Sequence, residues 1–238
     1  MEEEFKNTYA ESGVEYQKSR ISPAGMANRF FSGHLMKYIK RKMEYHDFLL
    51  QKEIWKNLKG CAKVLDIGCG NGRFLMTAPK NVQAEGIEII ESEIKKCLEK
   101  GLKVKKVDIE KSAPFKKESF DGISMSHIIE HLNNSQEVLK KIKSIMKKNG
   151  KLMILTPNFS ACYKKFYDDP THKRPFTKQS LFRILYDAGF SDIKIKNDFF
   201  HANNSVFSIF VFFPKFKFML EKIIGKIHSP HMIAVCRK

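Results

Sequence analysis

The chain has 238 residues, 42% of them hydrophobic, enough for one domain with a sizeable core but not for several. Its 43 Lys and Arg outnumber 26 Asp and Glu for a formal net charge of +17, which allows polyanion or anionic-membrane partners. Five cysteines, Cys61, Cys69, Cys97, Cys162 and Cys236, are odd in number and widely spaced with no CxxC pair, which argues against a disulfide framework or structural zinc, and the acidic opening MEEEFKN lacks the basic start of a signal peptide, so a reducing cytoplasm is expected.

In chain order, residues 1 to about 60 read as mostly helical, with Leu35, Tyr38, Ile39, Phe48, Leu49 and Trp55 at mixed three- and four-residue spacings. Ahead of them, Tyr9, Tyr16, Arg20 and Asn28 to Phe31 belong either to a segment folded over an active site or to helices covering the sheet edge. Lys63 to Ile67 is an apolar strand running into Gly68, Gly70 and Gly72, where backbone can approach a ligand that any Cβ would block. The dinucleotide fingerprint G-x-G-x-x-G needs glycine where Arg73 stands, and no Gly-Lys-Ser/Thr ending marks a P-loop. A short helix over Arg73 to Ala78 follows. Gln83 to Ile90 is a second strand ending at Glu88, about 20 residues past the turn, where a carboxylate can accept ribose hydroxyls. Leu102 to Asp108 makes a third strand and Phe120 to Met125 a fourth, with Ser126, His127, Glu130 and His131 in the crevice beyond its carboxyl end. Ser135 to Lys147 reads as a helix, Asn149-Gly150 as a turn and Gly150 to Thr156 as the fifth strand. Thr177 is set to cap a helix through Asp187, Gly189 stops it, Ser191 to Lys196 forms a sixth strand and HMIAVCRK a seventh.

The stretch Val64 to Gly72, VLDIGCGNG, resembles motif I of the class I S-adenosylmethionine-dependent methyltransferases. The resemblance spans about Lys63 to Lys238. It implies an α/β, Rossmann-like, seven-stranded sheet, mostly parallel with an antiparallel last strand and helices on both faces. The implied division is a helical lid or cap over 1–60 and a cofactor-binding domain over 61–238 carrying an apolar insertion at about 199–228. For S-adenosylmethionine it implies Asp66, Gly68, Cys69 and Gly70 around the methionine part, Glu88 with Ile89 at the ribose, Asp108 and Ile109 at the adenine, and Ser126 and His127 on the loop touching the cofactor.

Two strings bear on the acceptor. His127-Ile128-Ile129-Glu130-His131 matches the H-x-x-E-H zinc-protease signature, but it directly follows a strand in a methyltransferase-like frame, so a cofactor-loop role is expected and no metal. The loop Asp168-Asp169-Pro170-Thr171-His172-Lys173-Arg174-Pro175 gathers acids, an imidazole and a guanidinium, and resembles loops of methyltransferases acting on sugars and other small molecules. His172 is its candidate general base, with Asp169 orienting or binding substrate and His131 the second candidate for the base. Against this stands a structural role, with Asp169 capping a turn and His172 packing on the next helix.

The expected activity is methyl transfer to a hydroxyl, or an amine, of a small-molecule or saccharide acceptor. The alternatives are an RNA-modifying methyltransferase, disfavoured because Thr156-Pro157-Asn158-Phe159 is not the amino-methylase motif, and an inactive binding module, disfavoured by the intact glycines and acids. Only seven of the basic residues are Arg, so the charge reads chiefly as a solvated Lys surface with nonspecific affinity for polyanions. In the segment 199–228, Val206 to Phe213 is too short to span a bilayer. Its Phe and Lys residues suit a peripheral membrane contact, an apolar substrate wall, or a core or dimer contact.

Overall fold

A computed structural model describes residues 48, 51–197, 219 and 229–238 of the chain. The expected amino-terminal lid, apart from its last turns, and the apolar insertion lie outside the described residues. Phe48–Ala202 with Met219–Lys238 form one compact unit. Its seven strands are β1 (Lys63–Ile67), β2 (Gln83–Glu88), β3 (Val104–Lys106), β4 (Phe120–Ser126), β5 (Met146–Pro157), β6 (Ser191–Asn197) and β7 (His231–Arg237). They lie in the order β3-β2-β1-β4-β5-β7-β6. All neighbours through β5 pair parallel, and β7 runs antiparallel to both β5 and β6.

Strand residues feed two apolar cores in alternation, because successive side chains leave opposite faces of a sheet. Along β5, Leu152 and Ile154 enter one core and Met153 and Leu155 the other. The helices cover both faces: α1 (Arg73–Met76), α2 (Glu91–Glu99), α3 (Ser135–Ile145), α4 (Phe159–Phe166) and α5 (Lys178–Asp187). Val138, Leu139, Ile142 and Ile145 of α3 and Leu181 and Leu185 of α5 fill the first core. Trp55 closes the second, stacking on Phe74 at 4.1 Å and donating from Nε1 to the Phe74 carbonyl at 3.0 Å. Thr177 caps α5 as expected, in a capping box with Ser180.

Several boundaries differ from the sequence expectation for visible reasons. The helix α1 stops at Met76, two residues early. The third strand shrinks to three residues, so Asp108 sits in the turn beyond it, its Oδ1 accepting from the Glu110 N–H at 3.0 Å. The helix expected through Lys147 ends at Ile145, and Met146 already pairs with Phe120. The next register pair is Gly122 with Lys151, so the intervening Lys-Lys-Asn-Gly bulges outward, with Asn149 at φ 60°. Lys103, Lys105, Lys106, Lys111, Lys116 and Lys117 are exposed, in line with a solvated Lys face. Among the described residues no helix is long and apolar enough to cross a membrane.

Candidate active site

The sheet order reverses between β1 and β4, and the crevice at the carboxyl ends of strands flanking such a point is where open α/β sheets bind ligands. The turn after β1 is anchored there: Gly68 and Cys69 donate to the Ile87 carbonyl of β2 at 2.8 and 3.1 Å. Its glycines differ in purpose. A Cβ on Gly68 would lie 2.0 Å from Ile128 Cδ1, and one on Gly72 would lie 2.3 Å from Leu102 Cδ1, so these two admit neighbouring side chains. One on Gly70, at φ 51°, would meet nothing within 4 Å. Gly70 therefore provides the bare backbone facing open space, and Cys97 Sγ steadies its carbonyl at 3.2 Å.

Glu88 is buried at the tip of β2, and its carboxylate gathers three backbone amides. Oε1 accepts from Ile89 and Ile90 at 2.7 and 3.1 Å, and Oε2 from Gly70 at 2.8 Å. It latches the glycine turn to β2, a role the sequence reading did not assign. A carboxylate offers about four lone-pair positions, so one remains on Oε2. Asp66 is paired in register with Ser124 of β4. Burial pushes its carboxyl up to about 7, the Glu88 charge adds to that, and the Ser124 hydroxyl opposes it. Cys69 is buried beside these acids, and burial raises its thiol far from reactivity. Ile89 is exposed next to Glu88, whereas Ile109 is only 6% exposed and packs in the core.

At the end of β4, His127 takes a left-handed φ of 55° and donates its amide to the Leu155 carbonyl at 2.8 Å, which turns the chain back across the crevice. Glu130, within a short 3-10 turn over Ile129–His131, is fully buried. Its Oε2 accepts from Thr156 Oγ1 at 2.9 Å and its Oε1 lies 3.2 Å from His127 Nδ1. Burial alone would raise the Glu130 carboxyl, but His127 and His131 outweigh it and hold it below the usual range.

The loop after α4 returns to this turn. The Glu130 carbonyl accepts from the Lys173 and Arg174 amides at 2.8 and 3.0 Å, which brings His172 to 4.9 Å from His131, ring centre to ring centre. His172 Nδ1 lies 2.6 Å from the Phe166 carbonyl, and His131 Nδ1 lies 3.1 Å from the Thr171 carbonyl. A carbonyl only accepts, so both Nδ1 atoms carry protons and each neutral ring keeps its lone pair on Nε2. Burial, helped by His172, holds the His131 ring below its ordinary value, with Glu130 opposing. Asp169 accepts from the Thr171 amide at 3.0 Å and its hydroxyl at 2.5 Å, and its Oδ2 is 3.9 Å from His172 Nε2. Burial would raise this carboxyl too, but the Thr171 hydrogen bonds and the two imidazoles keep it low. The expected His172, His131 and Asp169 thus come together, and Glu130 and Thr171 join them. The H-x-x-E-H string was the available signal for Glu130; nothing marked Thr171.

Comparison with known proteins matches residues 36–195 to a family described as a methyltransferase domain. The chain belongs to this family. The methyltransferase is similar to the crystal structure of a SAM dependent methyltransferase from Archaeoglobus fulgidus, with a TM-score of 0.62 and 29% identity over 81% of this chain and 94% of that one. It is 28% identical to an uncharacterised protein of Methanocaldococcus jannaschii over 60% of this chain and 71% of that protein. It is 26% identical to the ubiquinone biosynthesis O-methyltransferase of Xanthomonas euvesicatoria over 64% of this chain and 66% of that enzyme, just under two thirds of its length. S-adenosylmethionine is the cofactor, and the open space at Gly70, beside the buried Glu88, fits it.

Proposed function

We propose that this methyltransferase acts on a hydroxyl of a small-molecule or saccharide acceptor bound between the glycine turn and the cluster of His131, His172 and Asp169. The observation that carries the reading is the contact between the two halves. The missing Cβ of Gly68 leaves room for Ile128, three residues before His131, so the donor turn packs directly on the segment bearing the acceptor-side histidine.

S-adenosylmethionine supplies an electrophilic methyl group on sulfonium. The residues here have simpler tasks, to align the acceptor oxygen and receive its proton. Asp66 presents negative charge toward the cofactor's cationic end, and the remaining lone pair on Glu88 Oε2 accepts one ribose hydroxyl. Cys69, Ile89, Ser126 and His127 line the same edge, and Asp108 stands on the adenine side, with Ile109 packed in the core behind it. Across the crevice, the Nε2 lone pairs of His131 and His172 accept from the acceptor hydroxyl, with Asp169 beside them. The similarity to ubiquinone biosynthesis O-methyltransferases supports oxygen as the atom methylated.

The test is a screen with labelled methyl donor against hydroxylated aromatics, sugars, amines and RNA. Label on a hydroxyl of a small molecule or sugar is the expected result. Label on RNA alone, or none at all from a folded protein that binds cofactor, refutes the reading.

A further inference from the structure

We propose that Glu130, His131 and His172 form a binding site for one divalent transition-metal ion, of the zinc, cobalt or manganese kind, and that the acceptor hydroxyl is held at this ion. The second half rests on the hydroxyl-methylation reading above. The first half stands on geometry alone.

One carboxylate oxygen of Glu130 and one ring nitrogen from each of His131 and His172 all lie within 4.8 Å of one another. Donors about 2.0–2.2 Å from a tetrahedral zinc sit roughly 3.4 Å apart, so an ion needs only a small inward movement of the three. Two imidazoles with one carboxylate is a donor set suited to zinc and to open-sited divalent metals, and three protein ligands leave positions for water or substrate oxygen.

The surroundings are arranged as around metal-bound imidazoles, whose second nitrogen donates to a carbonyl or carboxylate and so turns the lone pair toward the ion. His172 Nδ1 is committed to the Phe166 carbonyl at 2.6 Å. His131 Nδ1 is committed to the Thr171 carbonyl at 3.1 Å and to Thr171 Oγ1 at 3.0 Å, and that hydroxyl donates onward to Asp169 Oδ1 at 2.5 Å. The carboxylate is oriented in the same way, by Thr156 Oγ1 on one oxygen, His127 Nδ1 near the other and its own backbone amide, which leaves one of its about four lone-pair positions for an ion. The amides of Lys173 and Arg174, bonded to the Glu130 carbonyl, hold the His172 loop against the Glu130 turn.

The charge balance favours a cation. A fully buried carboxylate is costly unless it is paired with a cation or well hydrogen-bonded. The sequence reading set the H-x-x-E-H string aside as a metal motif because it directly follows a strand in a methyltransferase-like frame; the proposed site takes its last two residues and, in place of His127, His172 from a distant loop. With the ion in place the Nε2 lone pairs of His131 and His172 bind it instead of accepting from the acceptor, and an acceptor hydroxyl bound at the ion would have its acidity raised, easing loss of its proton to water or Asp169.

The test uses the full chain, stripped with a chelator and titrated with Zn²⁺ by calorimetry and with Co²⁺ by visible absorption. One ion per chain, with a Co²⁺ ligand-field band of low coordination number, is expected. His172→Gln should weaken Zn²⁺ binding about a hundredfold or more while S-adenosylmethionine binding and circular dichroism stay unchanged. Thr171→Val, which touches only the positioning shell, should weaken it about 10- to 100-fold.

No Zn²⁺ heat and no Co²⁺ band from a wild type that binds S-adenosylmethionine overturns the site. Equal metal affinity in a folded His172→Gln variant overturns it as well. Hydroxyl methylation that survives complete metal removal leaves the acceptor reading standing and sinks the ion's part in it. Tight metal binding without turnover of any hydroxyl acceptor does the reverse, keeping the ion site and removing its link to a hydroxyl.

Discussion

Replacing Gly70 by Ala separates the cofactor cradle from ordinary packing. The added methyl meets no protein atom within 4 Å, but the backbone sits at φ 51°, and a left-handed conformation costs a residue with a Cβ about 1–2 kcal/mol. For a chain of this size that lowers the melting temperature by roughly 2–8 °C. The methyl projects into the space assigned to S-adenosylmethionine, where overpacking of about 1–3 kcal/mol raises Kd roughly 5- to 150-fold. The counterpart Gly68→Ala bears the same backbone cost, and its Cβ would lie 2.0 Å from Ile128 Cδ1, so its loss of stability reaches about 2–5 kcal/mol. Thermal melts and calorimetric titration with S-adenosylmethionine on both variants decide the matter. Gly70→Ala that binds the cofactor with wild-type affinity would show that the open space beside Gly70 is not the cradle.

Glu88→Gln keeps shape but replaces one carboxylate oxygen with a donor, which must then face the N–H of Gly70 or those of Ile89 and Ile90. A loss of about 2–4 kcal/mol in stability is expected in urea melts, since one charge-assisted bond goes and the others weaken, and cofactor affinity falls with it; unchanged melts would mean the latch is idle. Asp66 gives a pH signature: its folded value of about 7 stands above the ordinary 3.8, so the folded state binds the extra proton between these values and stability falls as pH rises from about 4 to 7. The size is on the order of 3–5 kcal/mol, and Asp66→Asn should flatten that slope when melts are repeated across the range. Cofactor affinity should rise through pH 7 as the carboxyl ionises toward a cationic ligand, and a flat profile would count against contact with it.

The parts legible in the sequence were those where an apolar run meets a glycine or an acid. The first strand, Lys63–Ile67, and the helix capped by Thr177 have the expected bounds, because burial on both faces and a side-chain cap leave plain marks. Two helices were not foreseen. In α2, Glu91–Glu99, Cys97 is the only buried residue, so its pattern is nearly all polar, and α4 departs from helical geometry at Cys162, φ −126°. Of the site, strand-end acids could be placed by spacing, and His131 and His172 were named as alternative candidates for the base, but that they meet was not foreseen. Their fixed tautomers could not be foreseen either, since they depend on the carbonyls of Thr171 and Phe166, and a backbone carbonyl has no sequence signature.

The position of β7 has a bearing on how the molecule assembles. Because β7 lies between β5 and β6, β6 has no strand of the sheet to join until His231–Arg237 have docked. Up to that moment β5 presents an open edge whose residues Leu152 to Leu155 are at most 1% exposed in the finished fold. An unpaired apolar edge of this kind recruits other chains. Refolding yield should therefore depend steeply on protein concentration, and the step that ends this vulnerability is arrival of the last strand.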